Sequence, residues 1–294
     1  MSASVAFVGL GAMGEPMATQ LVRMGFAVSV VGHRRREPVE RLVALGEKEA
    51  TTAAAAAASA DAVVLMLPGS DDIERVVLGE GNVLGAMRGG TTLVDCSTAD
   101  AARSRAIARA ASERGVAYVD APVTRGVQGA RDGKLAFFIG GDADAIERVR
   151  PLLAAMGDTF FLMGPAGAGH ATKILVQSLS YATVALVSEA LMLGDAQRLP
   201  LDTLQQALSA GAGSKALEAF GPRIAARQYA PARVKVGDAR SHMDAAQRMA
   251  AASGCARDVH AAANAAFARL AERGMAASDI AALAELWPTA SGTR

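Results

Sequence analysis

The stretch Val5-Ala6-Phe7-Val8-Gly9-Leu10-Gly11-Ala12-Met13-Gly14 decides the fold of the first half of this chain. Its apolar start predicts a buried strand, and a G-x-G-x-x-G pattern follows at once. A helical stretch over Met13–Met24 and a second apolar run, Ala27–Val31, come next. This order of strand, glycine turn, helix and strand is typical of a dinucleotide-binding unit.

Each glycine of the pattern has a physical role. Gly9 permits a tight turn, Gly11 lets a pyrophosphate approach the backbone, and Gly14 lets the helix pack closely on the sheet. The helix N-terminus offers unpaired N–H groups and positive potential to phosphates. The alternative is a plain glycine turn in an α/β protein. We predict cofactor contacts from the whole loop: Gly9, Leu10, Gly11, Ala12, Met13 and Gly14.

The residues after the second strand bear on cofactor choice. NAD enzymes usually place Asp or Glu there to bind the ribose 2′-hydroxyl. Here Val31 is followed by Gly32-His33-Arg34-Arg35-Arg36, without an acid. Arginines offer charge-assisted donors to a 2′-phosphate, so the pattern favours NADP over NAD, with Arg34, Arg35 and His33 as contacts. A solvated basic helix start is the alternative.

The alternation of short apolar runs with helical segments extends to about Phe161. It predicts a mostly parallel, doubly wound sheet of Rossmann type. Beyond the breaker cluster of residues 163–169 the pattern is helical, with a long helix over Ala168–Ala196. We expect a dinucleotide-binding domain over residues 1–163 and an all-α domain over residues 164–294. Asp202 and Ser278 are candidate N-caps there, and Gly254 and Gly274 candidate stops.

Composition narrows the class of protein. The 294 residues are 51% hydrophobic but only 4% aromatic, and the net charge is +1. This balance gives no reason to expect nucleic acid or an anionic membrane as a partner. Cys96 and Cys255 lack metal-ligand spacing and suit a reducing compartment. We therefore expect a cytoplasmic protein without a signal peptide, a metal or a membrane span.

Two further strand ends and one helix carry polar candidates. Leu67-Pro68 and Ser97-Thr98 follow predicted strands, where such sheets bind ligands, and we predict cofactor contacts from Leu67, Pro68 and Thr98. Alternatively, Pro68 only ends its strand, and Ser97 and Thr98 only cap the next helix. Lys173 and Gln177 lie four residues apart on the long helix and share a face. Burial near a helix N-terminus favours a neutral lysine, which suits a general acid or base; a surface lysine is the alternative.

Four motifs in order resemble the β-hydroxyacid dehydrogenase family. This family includes 3-hydroxyisobutyrate dehydrogenase and tartronate semialdehyde reductase and is related to 6-phosphogluconate dehydrogenase. The motifs are GLGAMGEPMA from Gly9, DCSTAD from Asp95, DAPVTRGVQGARDGKLAFFIGG from Asp120 and GHATKILVQ from Gly169. The resemblance covers nearly the full length. It implies a Rossmann domain and an all-α domain joined by a long helix.

The resemblance also implies an activity. Hydride passes between a nicotinamide and a small β-hydroxy acid or its semialdehyde, with Lys173 as general acid or base. Ser97, Thr124, Arg125, Gly126 and Gln177 would then bind a small anionic substrate. Lys235 and Asp238 would contact the cofactor, and the chain would form a homodimer or homotetramer.

This chain departs from the family pattern at several positions. Arg125 replaces a usual glycine, which suggests an altered anionic substrate unless its side chain points to solvent. Gln177 replaces a usual asparagine, and Gly237 replaces a usual lysine. An imine reductase on the same scaffold and a non-catalytic dinucleotide-binding protein are the alternatives; the first generally lacks the lysine that Lys173 provides here.

Overall fold

The computed structural model describes residues 4–32, 35–256 and 258–287. The chain divides into two compact units, Met1–Lys173 and Ile174–Arg294. No observation here tests the expected domain boundary after residue 163, which stays a prediction.

The first unit contains a twisted sheet whose strands follow from buried apolar runs. The strand order is β3-β2-β1-β4-β5-β6-β8-β7, with β9 beside β8. The strands from β1 to β6 pair in parallel, whereas β8 runs antiparallel to β6 and β7. The strands are β1 (Ser4–Val8), β2 (Ala27–Val31), β3 (Lys48–Ala50), β4 (Ala62–Leu65), β5 (Thr92–Asp95), β6 (Ala117–Asp120), β7 (Val123–Thr124), β8 (Leu135–Gly141) and β9 (Gly157–Gly164).

Helices cover both faces of this sheet. Because side chains alternate along a strand, Val5 and Phe7 enter one apolar cluster while Ala6 and Val8 enter the other. The doubly wound architecture predicted from the sequence is confirmed. The helices are α1 (Gly14–Arg23), α2 (Glu37–Val43), α3 (Ala53–Ala58), α4 (Ser70–Leu78), α5 (Val83–Ala86), α6 (Ala101–Ser112), α7 (Gly126–Arg131) and α8 (Ala143–Met156).

The long helix α9 spans Ala168–Ala196, as the sequence predicts. The second unit is otherwise helical in its described residues and has its own core around Tyr181, Phe220, Met243 and Phe267. This confirms the all-α character of the C-terminal half. Its further elements are α10 (Leu201–Ala212), α11 (Lys215–Ala225), α12 (Val236–Ala252), α13 (Asp258–Leu270), a π-helical turn (Ala271–Met275) and a 3₁₀ helix (Ile280–Leu286).

Two predicted helix caps are wrong. Pro200 precedes α10 as its N-cap, and Asp202 lies inside the first turn. The 3₁₀ helix is capped by Asp279, whose carboxylate accepts from the Ala281 N–H, and not by Ser278. A carboxylate is the stronger acceptor of the two neighbours, so it takes the capping position. Gly254 follows α12 directly in a left-handed conformation, as expected of a helix stop.

Among the helices in the described residues, α9 is the one that is long and apolar enough to cross a membrane. Its most apolar window has a mean hydropathy of 1.5, and 44% of that window is buried within the protein. Exposed side chains on it include Leu175, Leu179, Leu186 and Leu193. Buried core helices meet the same criterion, so this observation leaves the expectation of no membrane partner untested.

The core of the first unit generates a stability prediction. Phe137 is fully buried and stacks on Phe160, with ring centroids 5.9 Å apart. Phe137→Ala should lower the free energy of unfolding by about 3–5 kcal/mol because it leaves a cavity. Phe161, which is 47% exposed, is the matched control, and Phe161→Ala should cost below about 1 kcal/mol. Urea unfolding followed by far-UV circular dichroism measures both; equal losses would contradict the assignment of Phe137 to the core.

Candidate active site

The loop between β1 and α1 is built on two close backbone approaches. Gly9 has φ 106°, and a Cβ there would lie 2.2 Å from the carbonyl oxygen of Met66. A Cβ at Gly14 would lie 1.8 Å from the carbonyl oxygen of Gly9. Both positions therefore exclude any larger residue. These contacts hold the start of α1 against the carboxyl ends of β1 and β4.

The outer side of the same loop is open. A Cβ at Gly11 would meet no atom within 4 Å, and Gly11 and Ala12 are exposed. Met13 is the N-cap of α1 and supplies no side-chain hydrogen bond to the helix. The start of this helix is thus accessible and has no side-chain cap, and uncapped helix N-termini of this kind bind phosphates. The loop, with half-buried Leu10, fits the pyrophosphate of a dinucleotide.

The end of β2 carries an ion pair that the sequence did not reveal. His33 and Arg34, two of the predicted cofactor contacts, lie outside the described residues, and Arg35 is exposed. Arg36 instead forms a two-point ion pair with Glu49, the middle residue of β3. The arginines that look equivalent in the sequence therefore differ in the structure, because Arg36 is paired with Glu49.

The carboxyl ends of β4 and β5 are joined by Ser97. Its hydroxyl oxygen accepts from the Leu67 N–H at 2.9 Å, and its own N–H donates to Asp95 Oδ1 at 3.0 Å. Ser97 is fully buried. Helix α6 is capped by Asp100, so the alternative of Ser97 or Thr98 as its cap is wrong. Pro68 is exposed and Thr98 half-buried at the same edge.

Lys173 lies in the second turn of α9 and is partly buried. Its ammonium nitrogen donates to the carbonyl oxygen of Val123, at an Nζ–O distance of 2.8 Å. Removal from water disfavours the charged form and lowers the pKa of Lys173 to about 8. An amine with this pKa exchanges a proton readily near neutral pH, as a general acid or base must.

A buried polar cluster holds the start of α9. Both carboxylate oxygens of Asp120 are engaged: Oδ1 accepts from the Gly167 N–H at 2.7 Å and Oδ2 from the His170 N–H at 2.8 Å. The His170 ring lies 2.7 Å from the Ser104 hydroxyl and 3.1 Å from the Ser97 carbonyl oxygen. Burial raises the pKa of Asp120, although His170 and the backbone donors oppose this.

Asp120 and His170 belong to two of the four sequence motifs, but the sequence alone predicted no role for either residue. Both are fully buried, and Ser104 is nearly so. Burying a polar group is costly unless it forms hydrogen bonds. The three residues satisfy one another and nearby backbone groups, so they form one hydrogen-bonded cluster. The signal available in the sequence was an aspartate directly after an apolar strand, paired with a histidine one turn before Lys173.

The turn after β7 holds the predicted substrate residues. Thr124 is half-buried and closes β7, whereas Arg125 takes a left-handed conformation with φ 81°. The Arg125 guanidinium donates to the Lys134 carbonyl, to Asp158 at 2.6 Å and to Thr159 Oγ1 at 2.8 Å. Gly126 begins the short helix α7, where the sequence predicted only a turn. The guanidinium of Arg125 thus donates its hydrogen bonds to other residues of the protein. Its predicted contact with the substrate stays a prediction.

The remaining predicted residues belong to the second unit. Gln177 lies on α9, and its buried Oε1 has no hydrogen-bond partner among the described residues. Lys235 is exposed before α12 and bridges through its backbone to Asp279, while Asp238 is exposed in the first turn of α12. Nearby, the Tyr181 hydroxyl lies 3.3 Å from Nδ1 of His242, a contact that sequence reasoning missed.

Family models match both halves of the chain. Residues 4–164 match the NAD binding domain of 6-phosphogluconate dehydrogenase. Residues 167–287 match a domain described as NAD-binding of NADP-dependent 3-hydroxyisobutyrate dehydrogenase. The first match alone spans more than half of the chain, and together the two define a dehydrogenase that uses a nicotinamide dinucleotide.

Individual relatives agree with these models. An NAD-dependent L-serine dehydrogenase of Pseudomonas aeruginosa is 39% identical over 229 residues, which is 78% of this chain and 76% of the relative. A 2-hydroxy-3-oxopropionate reductase of Escherichia coli is 35% identical over 229 residues, covering 76% and 77%. A solved 3-hydroxyisobutyrate dehydrogenase of Mycobacterium tuberculosis, crystallised with L-serine, has a TM-score of 0.86 at 28% identity and covers 97% of this chain and 99% of its own.

The chain belongs to the β-hydroxyacid dehydrogenase family, and its enzymatic class is a dehydrogenase acting on CH–OH groups. Imine reductases share the fold more distantly. One from a Pseudomonas species has a TM-score of 0.61 at 19% identity, over 97% of this chain and 99% of its own. That likeness concerns the fold alone. The alternative of a non-catalytic dinucleotide-binding protein does not hold.

The two faces of the glycine loop predict different effects of the same substitution. Gly14→Ala should destabilise the protein by about 1–3 kcal/mol or more, because its methyl group meets the Gly9 carbonyl. Gly11→Ala should change stability by less than about 0.5 kcal/mol but weaken dinucleotide binding roughly tenfold, because its methyl group enters the space left for the pyrophosphate. Thermal unfolding and titration with NADP measure the two effects. A Gly11→Ala protein that binds like wild type would contradict the placement of the pyrophosphate.

Proposed function

We propose that this enzyme transfers a hydride between NADP and a small β-hydroxy acid or its semialdehyde, with Lys173 as the general acid and base. One observation carries the proposal: a partly buried lysine whose pKa is lowered to about 8 and whose nitrogen is held by the Val123 carbonyl. An ordinary solvated lysine would be almost wholly protonated at neutral pH and a poor base.

Lys173 has a defined task in each direction of the reaction. The bound nicotinamide supplies the hydride chemistry, so the protein needs to supply orientation and a proton. In alcohol oxidation, neutral Lys173 accepts the hydroxyl proton at Nζ through its lone pair. In carbonyl reduction, the ammonium form donates a proton to the forming alkoxide oxygen. In both forms one N–H remains for the Val123 carbonyl, so the nitrogen keeps its place while the charge changes.

The buried cluster of Asp120, His170 and Ser104 supports proton transfer by Lys173 because it fixes the start of α9. Asp120 binds the N–H groups of Gly167 and His170, and Lys173 follows one turn later. Val123, which holds the lysine nitrogen, is only three residues beyond Asp120. The same short segment therefore anchors both the backbone of α9 and the tip of its reactive side chain. Such fixed geometry is what proton transfer over hydrogen-bond distance requires.

The substrate class rests on the relatives and on the turn after β7. The similar proteins are described as acting on L-serine and on 2-hydroxy-3-oxopropionate, both small acids with an oxygen on the β-carbon. Thr124 and the backbone of Gly126 offer donors to an acid group. With the Arg125 guanidinium paired to Asp158, these two residues are the better supported substrate contacts of this turn.

The NADP preference rests on the basic residues that follow β2. Residues 32–36 contain no acid and include three arginines. The second family model carries an NADP-dependent enzyme in its description, whereas the L-serine dehydrogenase relative is NAD-dependent. Homo-oligomerisation and a cytoplasmic location remain predictions from the resemblance and the composition.

Substitution of Lys173 should separate chemistry from binding. Lys173→Met should lower kcat by about 10²–10⁴ while the dissociation constant for NADP stays unchanged, because the amine acts on the substrate proton. In wild type, kcat/KM for alcohol oxidation should rise with pH to a plateau above about 8, where the amine is neutral. For carbonyl reduction it should fall above about 8. Steady-state assays at 340 nm and cofactor titrations measure these quantities.

Lys134, an exposed lysine, provides the matched control. Lys134→Met should leave kcat and both pH profiles as in wild type. A Lys173→Met enzyme that retains its kcat and the inflection near pH 8 would overturn the assignment of Lys173 as acid and base.

Arg34 and Arg35 give a direct test of cofactor choice. In Arg34→Ala/Arg35→Ala the affinity for NADP should fall at least roughly tenfold, because charge-assisted bonds to the 2′-phosphate are lost. The affinity for NAD should hardly change. Titration of wild type and variant with each dinucleotide measures the ratio, and an unchanged preference would refute the phosphate clamp.

A further inference from the structure

The pair Arg36–Glu49 occupies the end of β2, where enzymes of this fold distinguish the two dinucleotides. Strands β2 and β3 pair in parallel with Val31 opposite Ala50. Glu49 therefore lies opposite Val30, and its carboxylate lies close to Gly32 at the end of β2. Arg36 reaches it from the start of α2, with Nη2 2.9 Å from Glu49 Oε2.

Gly32 makes room for this pair. A Cβ at Gly32 would lie 2.6 Å from Nη1 of Arg36 and 3.1 Å from Oε1 of Glu49. A side chain at this position would displace the exposed guanidinium, and residues 32–36, which follow β2, provide no acid. A carboxylate is nonetheless present, because the neighbouring strand delivers it.

The pair is charged and accessible. The side chains of Arg36 and Glu49 are 56% and 33% exposed. The hydrogen bond from Arg36 lowers the pKa of Glu49, so the carboxylate is ionised at neutral pH. Exposed ion pairs contribute little to the stability of the folded state. An incoming phosphate can therefore take over the guanidinium at small cost to the fold.

We propose that Arg36 and Glu49 together set the balance between NADP and NAD. Arg36 attracts a 2′-phosphate, whereas Glu49 repels it and holds the guanidinium back. Without a phosphate, the Glu49 carboxylate is an acceptor suited to a ribose hydroxyl. The proposal deepens the proposed NADP preference and rests on it for the location of the adenosine ribose.

The two residues should act in opposite directions. Glu49→Gln keeps the shape of the side chain, removes the negative charge and releases Arg36, which favours NADP. Arg36→Gln removes the cation and leaves the carboxylate without its partner, which favours NAD. The loss of NADP affinity caused by Arg36→Gln should be larger when Glu49 is already Gln, because the guanidinium then interacts with the phosphate alone.

The experiment is a double-mutant cycle on the cofactor-free enzyme. Dissociation constants for NADP and NAD are measured by calorimetric titration at low and high salt for wild type, Glu49→Gln, Arg36→Gln and the double variant. Relative to wild type, the NADP-to-NAD affinity ratio should rise roughly tenfold in Glu49→Gln and fall roughly tenfold in Arg36→Gln. The shifts should shrink at high salt, which screens exposed charges.

The pair Arg150–Glu147 on α8 is the matched control, since it is also an exposed two-point pair. Glu147→Gln and Arg150→Gln should leave the ratio within about twofold of wild type. Circular dichroism and thermal unfolding confirm that each variant is folded.

The outcomes separate the two proposals. A wild-type enzyme that prefers NAD would refute the proposed NADP preference, yet opposite shifts in the two variants would still support the role of the pair. Shifts in the same direction, or ratios within twofold of wild type in both variants, would overturn the role of the pair whatever the wild-type preference.

Discussion

The carboxylate of Asp120 is the constraint on which the geometry around Lys173 in the first unit depends. It ends the buried strand β6 and binds two N–H groups at the start of α9, so it joins the sheet to the longest helix by charge-assisted hydrogen bonds. A buried carboxylate is costly unless such donors surround it. The position of Lys173 and the contact of its nitrogen with Val123 both follow from where this carboxylate starts the helix.

Most of the fold could be predicted from the periodic placement of apolar residues along the sequence. The bounds of β2 and α9 were predicted to the residue because each has a predominantly apolar pattern between clear breakers. Strand β3 was missed because Lys48-Glu49-Ala50 has no apolar run; only pairing with β2 makes it a strand. Helix α11 was missed because Gly221 and Pro222, inside it, argue against a helix. In both, tertiary contacts override local preference.

The candidate site divides in the same way. The glycine loop was recognisable because its chemistry depends on residue type and local spacing. Lys173 was recognisable from the motif in which it stands, GHATKILVQ, and from the resemblance that this motif carries. The roles of Asp120, His170 and Ser104 were not, because they depend on burial and on partners 47 to 73 residues away. The Arg36–Glu49 pair spans 13 residues and depends on the register between two parallel strands. Arg125 was predicted to bind substrate because its partner Asp158 lies 33 residues further along the chain, where the local sequence does not indicate an ion pair.

The lowered pKa of Lys173 has a consequence for chemical labelling. An amine with a pKa of about 8 is partly unprotonated at neutral pH, so it is a nucleophile under conditions where ordinary lysines are masked by their proton. Small acylating or carbamylating reagents should therefore modify this side chain early, and a bound ligand that shields it should slow the reaction. The desolvation that lowers the pKa of Lys173 thus also distinguishes it from the exposed lysines of the chain as a target for covalent inhibitors.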